Sequence, residues 1–549
     1  MTDGTTENGA VRADLVLTGG KVWCGKGLPL CEAVATFGGR VLATGTAEEI
    51  APLIGPDTCV VELAGRLATP GLNDAHMHLL PYGTSMAEVD LRTSAAPTLE
   101  ALLGAVREQA ARTPQGGWVI GRGYDHFKLD VGRHPYREEL DAAAPDHPVY
   151  IVRTCGHLAV ANTKALELAG IDEETPAPQG GLIGRENGRL TGLLAETARE
   201  PVMAVLPDAT VADLVDSIER GGRDCLSRGL TSVMEAAVGI RDGWTEMLAY
   251  QTAHRTGRLP VRVYAVLMGD KGRTVLPQAR AAGMLSGAGD DRFRIGPVKI
   301  FTDGSAGGKT AAMTRPYKGG EERGLLCLRD DELLAMVREG HREGFRFAIH
   351  AIGDAAIEQV LDAYEAALAE APDPDRRHRI EHCGWLRPDQ MERMARMHVL
   401  PAPQPAFLYY FGDLYLDVLE AERVHESHPM RTWIDAGLDP SASTDCPVVE
   451  IDPFANIYAM VTRKTDRGTE IGPDHRLTPE EALHAYTYAS AYAAHEEGIK
   501  GRLVRGQLAD IAVFDTDILA CAPDDILSTR CDLTVLGGEI VYEREGASA

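Results

Sequence analysis

The chain of 549 residues carries 55 lysines and arginines against 81 aspartates and glutamates, a formal net charge of −26 at pH 7. That balance excludes a polyanionic partner, because nucleic-acid phosphates and anionic membrane surfaces are held by clustered Lys and Arg. No run approaches the roughly 18 apolar residues of a spanning helix, so no membrane partner is expected.

The ten cysteines stand singly with no CxxC pair. This excludes zinc-ribbon and thioredoxin motifs and predicts mostly buried thiols in a reducing cytoplasm. The polar start MTDGTTENGAVRADLVLTGG has neither the basic nor the apolar region of a secretory leader. Residues 12–64 read as short strands broken by GG turns, and the same style returns in GQLADIAVFD and LTVLGGEIVYE near the other end. The two ends are therefore expected to form one small β-sandwich, 1–68 with 500–549.

Between them, short apolar strands alternate with helical stretches, the signature of βα units on a parallel sheet. Eight strands are predicted: up to Asn73–His78, then 230–236, 261–267, 293–304, 345–354, 378–383, 398–405 and 438–445. Stretches such as 330–344 carry apolar residues at helical spacing and end in Gly. Eight strands with crossovers predict an α/β fold, a (β/α)8 TIM-type barrel over 69–80 and 226–499. The gap after the first strand is too long for one crossover, so 81–225 is expected to be an inserted α/β subdomain covering the barrel mouth.

His76-Met77-His78 is the sharpest local feature. Residues two apart on a strand share a face about 7 Å apart, so both imidazoles can reach one ion. His350, His382 and Asp445 each end a predicted strand, the place where barrel active sites are built. Taken singly, each could be a polar residue opening a loop, and His382 could be a core histidine held by Glu381. Lys299 stands in an apolar strand, where burial disfavours its charge. It either pairs with Asp303 or Glu235, or reacts as a neutral amine with CO2 to give a carbamate that bridges two cations.

Residues 303–310 imitate a phosphate loop, but Asp303 stands where the motif needs glycine. Cys383 and Cys446 follow ligand candidates and read as packing residues.

PGLNDAHMH, VKIFTDGS, HAIGDAA, RIEHC, QPAF, STDCPV and GQLADIAVFD together resemble the amidohydrolase superfamily, in its YtcJ-like branch, which includes N-substituted formamide deformylases. GHLAVANTKALELAG and GGLIGRENGRLTGLLAE extend the resemblance into the insertion. It implies that His76, His78 and Asp445 hold one divalent ion, that His350 and His382 hold a second, and that a carboxylated Lys299 bridges them. Without carboxylation a mononuclear site is the alternative. Zinc suits imidazole and carboxylate ligands, and iron, manganese or cobalt could use the same set.

Such an ion brings the pKa of water from about 15.7 to near 7 and polarises a carbonyl, and Asp445 would act as general base and then acid. The implied reaction is hydrolysis of a C–N bond in a small N-substituted amide or formamide, releasing an amine and a carboxylate or formate. A decarboxylase, isomerase or cyclic-amide hydrolase could use the same barrel. A non-catalytic ligand-binding or regulatory protein is a third reading, which retention of all six metal-site side chains speaks against.

Substrate contacts are expected from His157, Tyr124 and Asp125 in the insertion, and from Asp303, Glu235 and Gln404 at strand ends. Each has a plain alternative as a turn, core or strand-end residue. Cys155 stands where many relatives carry an acidic residue, which bears on any substrate preference taken from them. Trp118, Tyr124, Phe127, Phe407, Tyr409 and Tyr410 are expected to line an apolar pocket. A homodimer is expected on resemblance and on the prevalence of symmetric pairs.

Overall fold

The computed structural model describes residues 11–153, 158–178, 181–270, 272 and 274–546, and His157 lies outside them. The chain divides into two compact units, Met1–Leu80 with Gly221–Ala549, and Pro81–Arg220.

The first unit contains a sheet of seven strands hydrogen-bonded in chain order: β1 (Leu72–Met77), β2 (Leu230–Val238), β3 (Arg262–Met268), β4 (Phe293–Phe301), β5 (Phe347–Ala351), β6 (Arg379–His382) and β7 (Leu400–Ala402). Every pairing in it is parallel. All residues of β2, β3 and β5 are buried, which is why these strands read as unbroken apolar runs rather than alternating ones. The result is a nearly closed barrel.

The eighth predicted segment, 438–445, is not a strand. It still bridges the gap. Ala75 donates its amide to Ala442 at 3.1 Å and Asp445 donates to His76 at 2.8 Å, while the Ser443 hydroxyl donates to the Pro403 carbonyl at 2.8 Å. Thr444 donates its hydroxyl to Asp74 at 2.7 Å. Side-chain hydroxyls here replace part of a backbone ladder, and Asp445 takes a left-handed φ of 59° that a strand cannot hold.

The helix Asp330–Arg342, foreseen over 330–344, carries Asp330, Asp331 and Glu332 in its first turn and His341 and Arg342 in its last, and buries Leu333 and Val337. The charges suit the helix dipole and the apolar residues fix its inner face.

Two further sheets belong to this unit. One has four strands, Arg40–Gly45, Ala33–Phe37, Leu15–Thr18 and Cys59–Glu62. The other has six, in which Ile511–Phe514 pairs antiparallel with Leu67–Pro70, so late chain hydrogen-bonds to early chain. One apolar cluster unites Leu17, Val34 and Val41 of the first sheet with Val22, Ile511 and Val535 of the second.

Leu67–Pro70 runs into β1 through Gly71, where a Cβ would overlap the side chain of Thr231. Arg262 on β3 grips Asp510 with two hydrogen bonds of 2.7 and 2.8 Å, both side chains being buried. This ties the barrel to the terminal sheet.

The second unit is built on a six-stranded mixed sheet in the order Gly181–Glu186, Arg189–Glu196, Leu158–Ala161, Val149–Arg153, Val119–Tyr124 and Val89–Asp90. Tyr124 is buried in one of its apolar clusters.

Candidate metal centre

Six side chains named from the sequence converge where β1, β4, β5 and β6 end. His76 lies near the end of β1, with His78 just beyond it. Lys299 is third from the end of β4, His350 sits in β5 and His382 closes β6. Asp445 comes from the segment that fills the eighth position. The ring centroids of His76 and His78 lie 5.7 Å apart, those of His76 and His382 5.0 Å, and those of His350 and His382 4.3 Å. His76, His382 and Asp445 offer donor atoms that all lie within 4.8 Å of one another.

The partners of each imidazole show which nitrogen is free. His76 donates Nδ1 to Glu381, and its Nε2 stands 3.4 Å from Asp445 Oδ1. His382 donates Nδ1 to Gln404 Oε1 at 2.6 Å. The orientation of that amide is fixed, because Gln404 Nε2 donates to the Ala402 carbonyl and to Ser443. His350 donates Nε2 to the Gly304 carbonyl at 3.1 Å, and its Nδ1 is buried with no hydrogen bond. His78 turns Nε2 to within 3.2 Å of Asp445 Oδ1, with Nδ1 4.0 Å from Glu235.

Asp445 Oδ1 is itself buried without a hydrogen bond among the described residues. Imidazole nitrogens that face a carboxylate oxygen at this spacing are the donor set of a divalent cation. The residues present fit one.

The electrostatics agree. Burial pushes Asp445 up, but the neighbouring imidazoles, His76 first, hold it well below the usual carboxylate range. Burial, with the charges around it, keeps His382 far below the ordinary imidazole value and so neutral. Burial also lowers the Lys299 amine, against the pull of Glu381 and Asp445. Lys299 pairs with neither Asp303 nor Glu235; its Nζ lies 3.5 Å from His76 Nε2 and 4.8 Å from the centre of the Phe301 ring. Left-handed φ values of 67° at His382 and 59° at Asp445 hold two of the donors on strained backbone.

The residues expected to meet substrate are placed differently. Asp303 accepts amides from Ile352 at 3.0 Å and from Ala312 and Gly353 at 2.9 Å each, and sits 3.3 Å from His350 Nε2. Glu235 accepts the Leu80 amide at 2.9 Å and the Tyr250 hydroxyl, behind His78. Burial raises its pKa. Gln404 backs His382. These three orient the imidazoles.

Tyr124 bonds His134 at 3.0 Å and Asp125 bonds Arg153 at 2.8 Å, both inside the second unit. Of the rings expected in a pocket, Phe407 lies parallel to His382 at 6.2 Å. Tyr409 meets Tyr410 and Tyr458 edge-on.

Glu381 is a further residue of the centre. It bonds His76 rather than His382, and Arg379 clamps it through contacts of 2.8 and 2.9 Å. Burial pushes Glu381 up, but the Arg379 guanidinium and the His76 bond outweigh it and hold it well below its ordinary value. Asp74 accepts amides from His76 and Thr444, and its burial lifts it to about 7. The signal for Glu381 was the RIEH run itself, with two charges in a strand too short and too buried to solvate them.

The sequence profile of the Amidohydrolase family matches residues 59–542. The Bacillus subtilis (strain 168) protein YtcJ is 30% identical over 93% of this chain and 96% of its own length. The N-substituted formamide deformylase of Arthrobacter pascens is 29% identical over 94% and 96%. Among solved structures, an uncharacterized metal-dependent hydrolase from Pyrococcus horikoshii OT3 superposes with a TM-score of 0.77 at 29% identity, covering 93% of this chain and 99% of that one.

Proposed function

Because the chain belongs to the amidohydrolase family, and is thus a metal-dependent hydrolase, we propose that it cleaves the C–N bond of a small N-substituted formamide or other N-acyl amine. The products are an amine and formate or another carboxylate. The observation that carries this reading is the cluster of His76, His78, His382 and Asp445, in which His76 and His382 are each held through Nδ1 while the Nε2 atoms of His76 and His78 face Asp445 Oδ1. In this reading His76, His78 and Asp445 hold one divalent ion, zinc first, and His350 and His382 a second, with Lys299 as a carbamate between them. The closeness of His76, His382 and Asp445 favours a mononuclear centre as the second reading, and metal content per chain separates the two.

A divalent ion bound there supplies a Lewis acid that makes water acidic near neutral pH and polarises the scissile carbonyl. Asp445 takes the proton of the attacking water on its carboxylate and returns it to the leaving nitrogen, so the amine departs neutral. Glu381, Gln404, Asp303 and Glu235 fix the tautomer and the plane of each imidazole. Phe407, parallel to His382, offers an apolar wall to the N-substituent. Tyr124, Asp125 and His157 stand as substrate contacts on resemblance alone.

Nine cysteines are free among the described residues, and no helix among those residues is long and apolar enough to cross a membrane. We read the enzyme as a cytoplasmic homodimer with a sandwich of the two terminal sheets supporting β1.

The test is turnover of a panel of N-substituted formamides and N-acyl amines by protein loaded with zinc, manganese or iron, with amine and acid both quantified. Equal release of amine and acid, abolished by a chelator, supports hydrolysis. Release of CO2 without amine, or inertness with every metal, overturns it.

A further inference from the structure

A cavity of about 520 Å³ lies in the first unit, and none of the six candidate ligands lines it. Its walls come from the start of the helix Asp354–Glu370, the turn into the helix Pro388–Met397, and the stretch from Arg423 to Thr432. Trp385, Leu386, Met391 and Pro429 supply apolar surface.

The charges around it are unequal in kind. Asp354 is satisfied, accepting the amide and hydroxyl of Thr314 and lying 3.6 Å from Arg387. Arg387 is bound to Glu358 at 2.6 Å and Asp389 at 2.9 Å.

Arg423 is different. It is only 5% exposed, and among the described residues its guanidinium makes a single hydrogen bond, to the Pro316 carbonyl at 2.9 Å. No carboxylate among the described residues pairs with it. Arg315, exposed on the same cavity, has no hydrogen-bond or ion-pair partner among the described residues either, and its charge bears on Arg423. A buried guanidinium with unused donors is costly unless an anion meets it, and its planar fork matches a carboxylate.

Glu426 also lines the cavity and is exposed. Two open guanidiniums facing one open carboxylate leave a single net positive charge, which suits a monoanion better than a dianionic phosphate.

We propose that this cavity binds a small monocarboxylate with a flat apolar body, its carboxylate on Arg423 and Arg315 and its body against Trp385 and Met391. The site is separate from the metal centre and does not rest on the reading of that centre. The volume falls in the range of small-molecule pockets, roughly 300–1,000 Å³.

Benzoate titrated calorimetrically into the metal-loaded full-length protein is expected to bind saturably at one site per chain. Benzamide, which has the same ring without the charge, should bind at least tenfold more weakly, and inorganic phosphate should compete poorly. Arg423→Gln should weaken benzoate at least tenfold. Arg315→Gln, at an exposed position that does not threaten folding, should weaken it several-fold, and Met391→Trp should block the cavity by volume. Chelation of the metal should leave the affinity within twofold.

The proposal is overturned if benzoate does not bind, or if Arg315→Gln and Met391→Trp leave its affinity unchanged. It is also overturned if phosphate binds more tightly than benzoate, or if chelation abolishes binding, which would put benzoate at the metal centre.

Discussion

Glu381 sets His76 by accepting its Nδ1 proton, and Arg379 keeps Glu381 ionised by clamping it at 2.8 and 2.9 Å. Glu381→Gln preserves the shape but removes the charge that orients the imidazole and leaves Arg379 without its counter-ion. Metal affinity, measured by competition with a coloured chelator, should fall 10- to 100-fold, roughly the effect of losing an outer-shell partner. Asp445→Asn is expected to do something else. With metal restored to saturation, kcat should fall by about 10²- to 10⁴-fold, the usual contribution of a positioned acid–base group, while KM changes little.

The ligand candidates were legible because each lies at or near the end of a predicted strand: the HxH of β1, the histidines of β5 and β6, and Asp445 in the segment that takes the eighth position. The orienting partners were not. Adjacent residues on a strand face opposite sides, so Glu381 meets His76 across the barrel and not its neighbour His382. No local pattern states that contact. Asp303, Glu235 and Gln404 were singled out as substrate contacts at strand ends; in the structure Glu235 lies within β2, and the side chains of all three are taken up by neighbouring imidazoles, hydroxyls and backbone groups.

At the level of elements, the loop after β4 and the turn after β5 are locked together. Asp303 receives amides from Ala312, Ile352 and Gly353, and a Cβ at Gly353 would lie 1.9 Å from the Ala312 carbonyl oxygen. Gly353→Ala must therefore push one backbone off the other and misplace Asp303, which braces His350. A loss of more than about 2 kcal/mol is expected, the scale of a severe core disruption. Urea unfolding measures it, and an unchanged midpoint would contradict the packing argument.

The eighth barrel segment teaches the limit of pattern reading. LDPSASTD was readable as the piece that completes the barrel, because its terminal aspartate matched the other strand ends. Its conformation was not readable. Ser443 and Thr444 take bonds that a ladder would otherwise supply, and the positive φ of Asp445 turns its carboxylate into the site. Those bonds run to Pro403 and Asp74, which are distant in sequence.

Across the whole molecule, several histidines are buried as neutral rings. Burial, aided by the charge of Arg463, holds His428 at about 3, and burial with His341 beside it holds His378 far below its ordinary value. Neither ring nitrogen of His428 has a hydrogen bond. Below about pH 6.5 the unfolded chain takes up protons that the folded chain refuses, so stability is lost as the pH falls. The slope is about 1.4 kcal/mol per pH unit for each such histidine, continuing for His428 down to about pH 3. Chemical denaturation at stepped pH between 7 and 4 should show this fall, and His428→Phe should flatten part of it. Equal slopes for the two proteins would remove His428 as the cause.

The sequence by itself determined the chemistry available and its address. Apolar strands alternating with amphipathic helices dictate a parallel barrel, and ligand-type residues at strand ends mark a candidate metal centre at one end of it, since both patterns are local and repeat. The early and late strands announced themselves as one body through shared composition. What only the tertiary structure decided is which groups touch: that Glu381 holds His76, that Arg262 joins barrel to terminal sheet through Asp510, and that Arg423 is buried beside a cavity with no ion-pair partner among the described residues. These contacts join residues up to several hundred positions apart. Their energies depend on distance and on exclusion of water, neither of which is written in the order of the residues.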